Sequence, residues 1–581
     1  MVEKIDVPLR FDREDGLEVD VAIVGAGASG LYSGWRLLGE RAVEKAHVFE
    51  LSDRIAGRLY TVELPGMNVP AEMGGMRYLD QQEIVANLIE HHFKDMLTSV
   101  DFPMGDPATL FFYLRKQRFR ANAWTQAQAS GQKFETRYVL NDGDLGFSAD
   151  QLFNKVVYDV LMADPWFRDQ SGLASKVTNP KPYEYDFKLT ATDWNVVKPK
   201  LRYCFPGTPY DGMHVNQLGF WNLLDDRVSQ EGYEFLADTG GYYSNTLNWN
   251  AAEALPYMVG DFSDASTTYK TIEGGYDRLL YAVGKHYTDQ PGSTIWAKNR
   301  VAGFRQTSGD EPRRYALRVH NADSNEEWTA YADAIVLGMP QRSLQLLEDG
   351  DEGAQFFFAS EKFQAGMDSV IPEPSFKLLL GFDYDWWTPD FGAQAGESIT
   401  DLPMRQCYYF GVDPQNGHSL FMASYNDMRA ETFWKALERG APERYQPRAT
   451  RLVSQAALEQ RVIPELLAPR AMVNEVMQEV RELHGPMQAP IPDPYIGYWK
   501  DWTLDPFGAG YHGWAPGVEV WNVMPYMRKP YADEAIHVVG EAYSDQQGWV
   551  EGAFCVAELM LEEHFGLQRP EWIPADYDLG W

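Results

Sequence analysis

The sequence predicts a multi-domain protein of the α/β class. Its 581 residues are 45% hydrophobic and 14% aromatic, which is enough apolar material for the cores of two or three domains. Near the N-terminus, residues 19–50 have the pattern of a strand, a glycine turn, a helix and a second strand. Near the C-terminus, residues 536–565 have the pattern of a strand, an acidic turn and a helix. Both ends of the chain therefore predict parts of an α/β sheet.

The N-terminal unit has the order of a βαβ motif. The apolar run at 19–24 predicts a buried strand, and the glycines within 25–30 predict a tight turn directly after it. Apolar residues within 31–38 recur at the spacing of one helix face. The short apolar run at 46–50 predicts a second, parallel strand. This order predicts a Rossmann-like dinucleotide-binding domain.

Three glycines and one acid give this motif its chemistry. Gly25 allows the tight turn, Gly27 lets the backbone approach a pyrophosphate, and Gly30 permits close packing of the helix on the strand. Glu50 ends the second strand, where a carboxylate accepts hydrogen bonds from a ribose. A glycine-rich turn that binds no ligand is the alternative to this interpretation. The flanking elements favour the dinucleotide and leave NAD or FAD open.

The residues after Glu50 distinguish the two cofactors. The segment 50–58 resembles the Glu-x4-Gly-Gly-Arg signature of the flavin-dependent amine oxidase family, with Ala56 in place of the first glycine. This resemblance implies FAD. Monoamine oxidases of the family tether FAD through a cysteine, whereas the matching segment 505–514 has none, so we expect FAD to bind non-covalently.

Further matches resemble the L-amino acid oxidase branch of this family. The segment 71–78 looks like the one that passes beside the flavin, and the resemblance implies that Arg77 binds the substrate carboxylate. Tyr425 matches a tyrosine that donates its hydroxyl to the same carboxylate. Lys377 is a lone lysine in an apolar strand, and it matches a lysine that holds a water against flavin N5 for reoxidation by dioxygen. Without the resemblance, a structural arginine, a core tyrosine and an edge-strand lysine remain alternatives.

The C-terminal unit resembles the closing FAD motif of the family. The resemblance implies that Glu541 binds the ribityl hydroxyls and that the following helix faces the flavin. Gly548 and Trp549 match the positions that receive the substrate amine and border its side chain. A turn with a packed indole is the alternative. Trp221, in the chain between the other motifs, is predicted as a wall of the substrate pocket.

The predicted cofactor-binding residues come from the four matched motifs and one short strand. They are Gly25, Gly27, Ala28, Ser29, Gly30, Glu50, Leu51, Arg58, Gly74, Gly75, Met76, Arg77, Val301, Glu541, Gly548, Trp549, Val550 and Ala553.

The positions of the motifs predict discontinuous domains. The fold class is α/β, more closely an α+β multi-domain chain, with an FAD-binding domain of the amine oxidase type, a mixed-sheet substrate domain and a helical insertion. The FAD-binding domain is predicted at 18–66, 262–370 and 528–581. The substrate-binding domain is predicted at 67–130 and 371–527, and the helical domain at 131–261.

Charge and composition exclude several classes of partner. The chain has 51 Lys plus Arg against 84 Asp plus Glu, a formal charge of −33, which repels phosphate backbones and anionic lipids. We therefore expect no nucleic-acid partner. No run approaches about 18 apolar residues, and residues 1–10 lack the apolar run of a signal peptide. We expect no membrane binding and a cytoplasmic protein, with export or a removed leader left open.

Cysteine and histidine spacing predicts neither a disulfide framework nor a metal site. Cys204, Cys407 and Cys555 lie far apart and allow at most one bridge. His91 and His92 lack the spacing of metal ligands. We therefore expect no bound metal.

The resemblance implies the oxidative deamination of L-amino acids. Hydride passes from Cα to flavin N5, and the products are a 2-oxo acid, ammonia and hydrogen peroxide from dioxygen. We expect a broad side-chain range that includes bulky apolar and aromatic groups, although the acidic excess equally favours Lys or Arg as substrates, and a homodimer as in related oxidases. The alternatives are a tryptophan-2-monooxygenase-like enzyme that forms an amide, an amine or polyamine oxidase, and a non-catalytic flavoprotein.

Overall fold

The structure is a computed structural model that describes residues 4–241, 248–262, 268–350, 352–439, 462–487 and 489–581. Within these residues two large mixed sheets dominate the architecture, and smaller sheets and helices pack around them. The fold is thus a multi-domain α/β architecture, as predicted. The domain boundaries given above stay predictions.

The described strands come from every part of the chain. In chain order they are β1 (Leu17–Val24), β2 (Ala46–Phe49), β3 (Thr61–Glu63), β4 (Pro70–Glu72), β5 (Tyr78–Leu79), β6 (Ser99–Asp101), β7 (Phe111–Leu114), β8 (Gln117–Arg120), β9 (Val177–Lys181), β10 (Glu184–Phe187), β11 (Tyr269–Ile272), β12 (Ser293–Trp296), β13 (Asn299–Gln306), β14 (Tyr315–Asn321), β15 (Glu326–Leu337), β16 (Val370–Glu373), β17 (Phe376–Phe382), β18 (Glu397–Thr400), β19 (Gln406–Val412), β20 (Ser419–Asn426), β21 (Ile496–Asp501), β22 (Tyr511–Trp514) and β23 (Ile536–Val538).

The described α-helices range from single turns to the 16 residues of Val550–Phe565, and the longer range Phe220–Thr239 is interrupted by a kink at Ser229, whose φ is +69°. In chain order they are α1 (Ala28–Gly39), α2 (Glu83–Asn87), α3 (Ala123–Ala129), α4 (Ala149–Ala163), α5 (Pro165–Asp169), α6 (Ala191–Val197), α7 (Phe220–Thr239), α8 (Ala251–Tyr257), α9 (Arg278–Thr288), α10 (Gln341–Gly350), α11 (Gln355–Phe358), α12 (Glu361–Met367), α13 (Trp387–Phe391), α14 (Met428–Lys435), α15 (Arg470–His484), α16 (Val520–Arg528) and α17 (Val550–Phe565).

The first large sheet contains the predicted N-terminal and C-terminal strands. Its order is β12-β2-β1-β15-β14-β13, and β23 pairs with β15. The pairs of β1 with β2 and β15, and of β15 with β23, are parallel. Helices α1, α9 and α17 bury apolar side chains against one face of this sheet. The carboxyl ends of β1, β2 and β23 consequently meet at one edge, where α/β sheets bind their ligands.

Glycine allows the close approach that this edge requires. A Cβ on Gly25, whose φ is +103°, would lie 2.6 Å from the carbonyl oxygen of Gly338 at the end of β15. A Cβ on Gly30 would lie 2.0 Å from the carbonyl oxygen of Gly25. Both distances are shorter than van der Waals contact allows, so no side chain fits at either position. The turn therefore sits directly on the strand ends, as the motif predicted.

The second large sheet has two chemically different faces. Its order is β21-β17-β20-β19-β18-β7-β8, and all pairs except that of β18 with β7 are antiparallel. One face packs under α15 and is apolar, with Leu378 and Leu380 from β17. The alternate positions of β17, Lys377 and Leu379, point to the other face. We call this second face the inner face, because it packs against residues 60–76 of the chain.

Helices α4 to α8 form a separate apolar cluster beside the second sheet. Leu152, Val156 and Val160 recur at helical spacing on α4 and are fully buried. Ser148 caps this helix, since its side chain accepts a hydrogen bond from the Gln151 amide at 3.3 Å. Within the same region β9 and β10 form a two-stranded hairpin, which the sequence analysis did not predict.

Candidate active site

A cavity of about 880 Å³ is lined by residues of both large sheets. Its volume is at the upper end of the range for ligand pockets, about 300–1,000 Å³. Most of the predicted cofactor residues line it. Those residues are Gly25, Gly27, Ala28, Ser29, Glu50, Leu51, Arg58, Gly74, Gly75, Val301, Glu541, Gly548, Trp549, Val550 and Ala553, and Tyr425 lines it as well.

One end of the cavity is the glycine turn with the N-terminus of α1. Gly27 is the N-cap of this helix, and no side chain caps it, so amide groups of the first turn remain available to an anion. A Cβ on Gly27 would meet no atom within 4 Å, which leaves open space where a pyrophosphate would lie. The carboxylate of Glu50 accepts hydrogen bonds from the amides of Ala26 at 2.8 Å and Ser52 at 2.9 Å. This end of the cavity fits a dinucleotide.

Ala56, which departs from the family signature, adopts a glycine-like conformation. Its φ is +80°, in the left-handed region that an L-residue with a Cβ adopts at a cost of about 1–2 kcal/mol. The Ala56 amide donates to the carbonyl of Ala26 at 2.9 Å. The turn therefore keeps the shape that glycine would give it, with some strain at this residue.

Glu541 is the centre of a buried polar cluster at the other end of the cavity. Its carboxylate accepts from Arg58 at 2.8 Å, from the backbone amide of His512 at 2.8 Å, from His512 Nδ1 at 3.0 Å and from the amide of Gly548 at 2.9 Å. Burial raises the pKa of this carboxyl, but Arg58 and His512 outweigh burial and lower it to about 2. Glu541 is thus ionised and holds Arg58, His512 and Gly548 around the cavity. We call these four residues the Glu541 cluster.

Lys377 lies on the inner face, next to Tyr425. Its Nζ donates to the backbone carbonyls of Gly74 at 2.5 Å and Glu72 at 3.1 Å, and it lies 4.4 Å from the centre of the Tyr425 ring. The side chain is 1% exposed. Burial lowers the pKa of the Lys377 ammonium and Arg77 lowers it further, whereas Glu72 raises it. A lysine here loses its proton more readily than an ordinary one.

Arg77 lies between aromatic side chains rather than on a carboxylate. Its guanidinium carbon is 4.1 Å from the centre of the Tyr269 ring and 5.3 Å from that of Phe102. Its Nη1 is 3.5 Å from the sulfur of Met104. Burial lowers the pKa of Arg77, but Tyr408, Tyr269 and Glu397 raise it above its ordinary value. Among the described residues Arg77 forms no ion pair, so its charge is free for a ligand carboxylate.

Five of the predicted site residues do not line the cavity. Gly30 lies beneath the glycine turn, and the side chain of Met76 is 4% exposed in the core at the inner face. Both residues pack beneath the wall of the cavity, and their contact with the cofactor stays a prediction. Lys377 donates to the carbonyl of Gly74, which lines the cavity, and Arg77 follows Gly74 and Gly75 along the chain. Trp221 lies elsewhere.

The prediction for Trp221 is wrong in its placement. Its side chain is 42% exposed and stacks on Tyr233 at 4.8 Å between ring centres. Phe220, Leu223 and Leu224 of the same helix are buried, and they take the core-facing side of α7. Residue 221 consequently falls on the opposite side of the helix. The wall of the cavity beside Gly548 is instead provided by Tyr511.

The site contains residues that the sequence analysis did not name. His512 completes the Glu541 cluster, and Trp502 lines the cavity while its indole nitrogen donates to the carbonyl of Met73 at 2.8 Å. Glu72 is buried beside Lys377 and accepts from the Tyr276 amide at 2.7 Å. Glu72 and His512 lie inside the segments 71–78 and 505–514 that resemble family motifs, whereas Trp502 lies outside every matched segment.

Across the described ranges of the chain, no group of three or more His, Cys, Asp or Glu side chains is arranged to hold a metal ion. No helix in those ranges has the length and apolar character to span a bilayer. The three cysteines are all free.

Comparison with known proteins identifies the family. The family model "Flavin containing amine oxidoreductase" matches residues 28–555. The chain belongs to this family. It is accordingly a flavin-dependent oxidase with FAD as its cofactor. The glycine turn would hold the pyrophosphate, Glu50 the ribose, and the Glu541 cluster the flavin end.

Several curated relatives match over nearly the whole chain. Aplysianin-A from Aplysia kurodai is 25% identical over 570 residues, which cover 94% of this chain and 90% of that protein. Achacin from Lissachatina fulica is 23% identical, with 94% and 93% covered. An L-amino-acid oxidase from Mus musculus is 22% identical, with 92% and 68% covered.

A solved structure shares the fold. A triple mutant of putrescine oxidase with redesigned cofactor binding aligns with a TM-score of 0.58 at 13% sequence identity. The alignment covers 95% of this chain and 99% of that one. At this identity the likeness concerns the fold alone.

Proposed function

We propose that the protein oxidises L-amino acids to 2-oxo acids, with release of ammonia and hydrogen peroxide. The observation that carries this proposal is the guanidinium of Arg77, which lies among aromatic rings without an ion pair in the described part of the chain. A planar, permanently charged fork that no carboxylate of the described residues occupies is suited to bind the carboxylate of a substrate. An amine without a carboxylate would leave this buried charge unpaired, which is costly.

Three groups of the chain have separate roles in the proposed reaction. Arg77 and the hydroxyl of Tyr425 bind the carboxylate, and the carbonyl of Gly548 accepts a hydrogen bond from the amine. Together they orient the Cα hydrogen, so that positioning rather than an acid or a base lowers the barrier. FAD, when bound, would supply the redox chemistry for the two-electron oxidation at Cα, with dioxygen as the final electron acceptor. Lys377 places an ammonium beside this site for the oxygen step.

The relatives favour the same substrate class. L-amino-acid oxidases from Mus musculus, Hebeloma cylindrosporum and Vipera ammodytes ammodytes are 22%, 21% and 22% identical to this chain. The alignment with the mouse enzyme covers 92% of this chain. The similarity to L-amino-acid oxidases and the guanidinium of Arg77 together support an L-amino acid as the substrate.

The test is peroxide release by the purified flavoprotein with the standard L-amino acids, their D-enantiomers and simple amines. We expect peroxide, ammonia and 2-oxo acid with L-amino acids only. Loss of the two charge-assisted bonds in Arg77→Met is expected to lower kcat/KM by about 10²–10³, with unchanged flavin content. Peroxide with amines alone, or an amide as the product, would overturn the proposal.

A further inference from the structure

A buried lysine joins the helical cluster to the segment that carries Gly548. Lys198 directly follows α6, and its side chain is 4% exposed. Its Nζ donates to Oε2 of Glu253 in α8 at 2.6 Å and to Oδ1 of Asp545 at 2.7 Å. Helix α8 belongs to the helical cluster, whereas residue 545 lies between β23 and α17. We call these three residues, Lys198, Glu253 and Asp545, the Lys198 triad.

The Lys198 triad brings three charged groups into the interior. Burial lowers the pKa of the Lys198 ammonium, but Asp545 and Glu253 outweigh burial and raise it above its ordinary value. Lys198 is therefore charged and attracts both carboxylates. Replacing a buried ion pair with apolar side chains of similar volume often leaves a protein equally stable or more stable. Stability alone consequently does not explain this lysine, whereas fixing the two joined segments relative to each other does.

Both joined segments lead to the place where the proposed reaction needs the substrate amine. Asp545 lies three residues before Gly548, which lines the cavity and whose carbonyl accepts the amine in the proposed function. Glu253 lies four residues before Tyr257, so the two side chains share a face of α8. A Cβ on Gly548 would lie 3.6 Å from the hydroxyl of Tyr257. This face of α8 therefore approaches residues 545–548 at two points.

Gly548 is held by two separate anchors. Its amide donates to Glu541 at 2.9 Å, and the Lys198 triad fixes Asp545 three residues upstream. The φ of Gly548 is +84°, in a region that a residue with a Cβ adopts only at a cost. The direction of the Gly548 carbonyl therefore depends on how both ends of this turn are held.

We propose that Lys198 is a positioning residue for the substrate amine. Through its two carboxylate partners it fixes the carbonyl of Gly548 and the hydroxyl of Tyr257 on the amine side of the site. The inference rests on the proposed function, because that function assigns the amine to Gly548. Lys198 is not among the residues that line the cavity, so it acts through the groups it holds. Recognition of the substrate carboxylate uses other parts of the chain and should not depend on Lys198.

The first experiment separates recognition of the amine from recognition of the carboxylate. L-Phenylalanine is paired with 3-phenylpropanoate and L-leucine with 4-methylpentanoate, because each acid lacks only the α-amine. For the Lys198→Met holoenzyme we expect kcat/KM from peroxide release to fall about 10–100-fold, as for a small misplacement of the reacting groups. Binding of the two acids, followed by the change in flavin absorbance, should stay unchanged. Equal losses for amino acid and acid, or no loss for either, would overturn the inference.

A second variant tests the same link with less disturbance of the fold. Asp545→Asn leaves Lys198 paired with Glu253, so no buried charge loses its only partner. The neutral amide holds the segment less tightly, and we expect kcat/KM to fall about 3–10-fold with acid binding unchanged. Lys198→Arg keeps the charge and should retain more activity than Lys198→Met. An equal loss of acid binding in Asp545→Asn would assign the Lys198 triad a merely structural role and overturn the inference.

The matched control is Lys176→Met. The Lys176 ammonium donates to Asp193 of α6 at 2.6 Å, and its side chain is 40% exposed. The control thus removes a lysine that pairs with the same helix but is not joined to residues 545–548. It is expected to leave kcat/KM unchanged, and a loss as large as that of Lys198→Met would overturn the inference. No peroxide from any L-amino acid with the wild type would instead overturn the proposed function.

Discussion

The Glu541 cluster and the Lys377–Arg77 region differ in how their buried charged groups are partnered by the protein. The carboxylate of Glu541 accepts hydrogen bonds from four protein groups, and its pKa is lowered to about 2. Arg77 has aromatic rings around it, and within the described ranges Lys377 has only backbone carbonyls as hydrogen-bond partners. The pKa of Lys377 is lowered by burial. The carboxylate of Glu541 thus has protein partners for its charge, whereas Arg77 and Lys377 form no ion pair within the described residues.

This difference predicts separate roles for the two regions, cofactor binding for the Glu541 cluster and a part in the reaction for Lys377 and Arg77. A fully satisfied carboxylate fixes the groups around it and contributes to stability. Partly satisfied cations cost stability, and proteins keep such groups where a ligand or a reaction uses them. We therefore expect changes in the Glu541 cluster to affect cofactor binding and stability, and changes at Lys377 to affect the reaction while cofactor binding is retained.

The largest effect is expected for Glu541→Ala. The change leaves Arg58 without its carboxylate and His512 and Gly548 without an acceptor, and breaking a buried pair of this kind costs about 3–5 kcal/mol. We expect the purified protein to lose most of its flavin absorbance and to unfold at a lower temperature.

Two controls accompany this variant. Glu541→Gln keeps an acceptor for the amides and should retain more flavin. Glu311→Ala removes a carboxylate that pairs with the exposed Arg305 and should leave flavin content unchanged. Normal flavin content in Glu541→Ala would contradict the holding role.

An intermediate effect is expected for Lys377→Met. The apolar side chain fits a buried strand position, so flavin content should be retained. Without the ammonium, reoxidation of the reduced enzyme by dioxygen should slow by about 10²-fold, as for loss of one preorganised electrostatic group. Rapid-mixing absorbance measurements give this rate. An unchanged rate would remove Lys377 from the oxygen step.

The pH dependence of stability checks the environment of Lys377. Folding lowers the pKa of Lys377 to about 7. Between this pH and about 10.5, the unfolded chain therefore binds more protons than the folded protein. The wild type should therefore gain stability relative to Lys377→Met as pH rises through this window. Thermal midpoints of both proteins at several pH values test the sign, and a difference that does not change with pH would contradict the lowered pKa.

The smallest effect is expected for Ala56→Gly, which lies outside both regions. Glycine relieves the left-handed strain at φ +80° but costs backbone entropy, so a net stabilisation of about 0.5 kcal/mol is expected. Thermal unfolding measures it, and flavin content and kinetics should not change. A lower midpoint would mean that the packing of the buried methyl group outweighs the strain.

The spacing of residues along the sequence predicted the strand, turn and helix that line the cofactor end of the cavity. The strand, the glycine turn and the helix of residues 17–39 form from neighbouring residues, so their pattern is visible in the sequence. The same holds for the C-terminal strand Ile536–Val538 and the helix Val550–Phe565. The resemblance to the family then indicated Arg77, Lys377 and Tyr425, which the fold brings to one place.

Tertiary structure alone decided which distant groups meet. Arg58, His512 and Glu541 come from three separate parts of the chain, and nothing in their local sequence indicates a shared carboxylate. Glu397 lies beside Tyr408 because of the strand register of the second sheet. Trp221 points outward because its neighbours Phe220 and Leu223 take the core side of the helix. Composition and spacing describe what a segment forms, whereas packing between segments decides which face each side chain shows to the site.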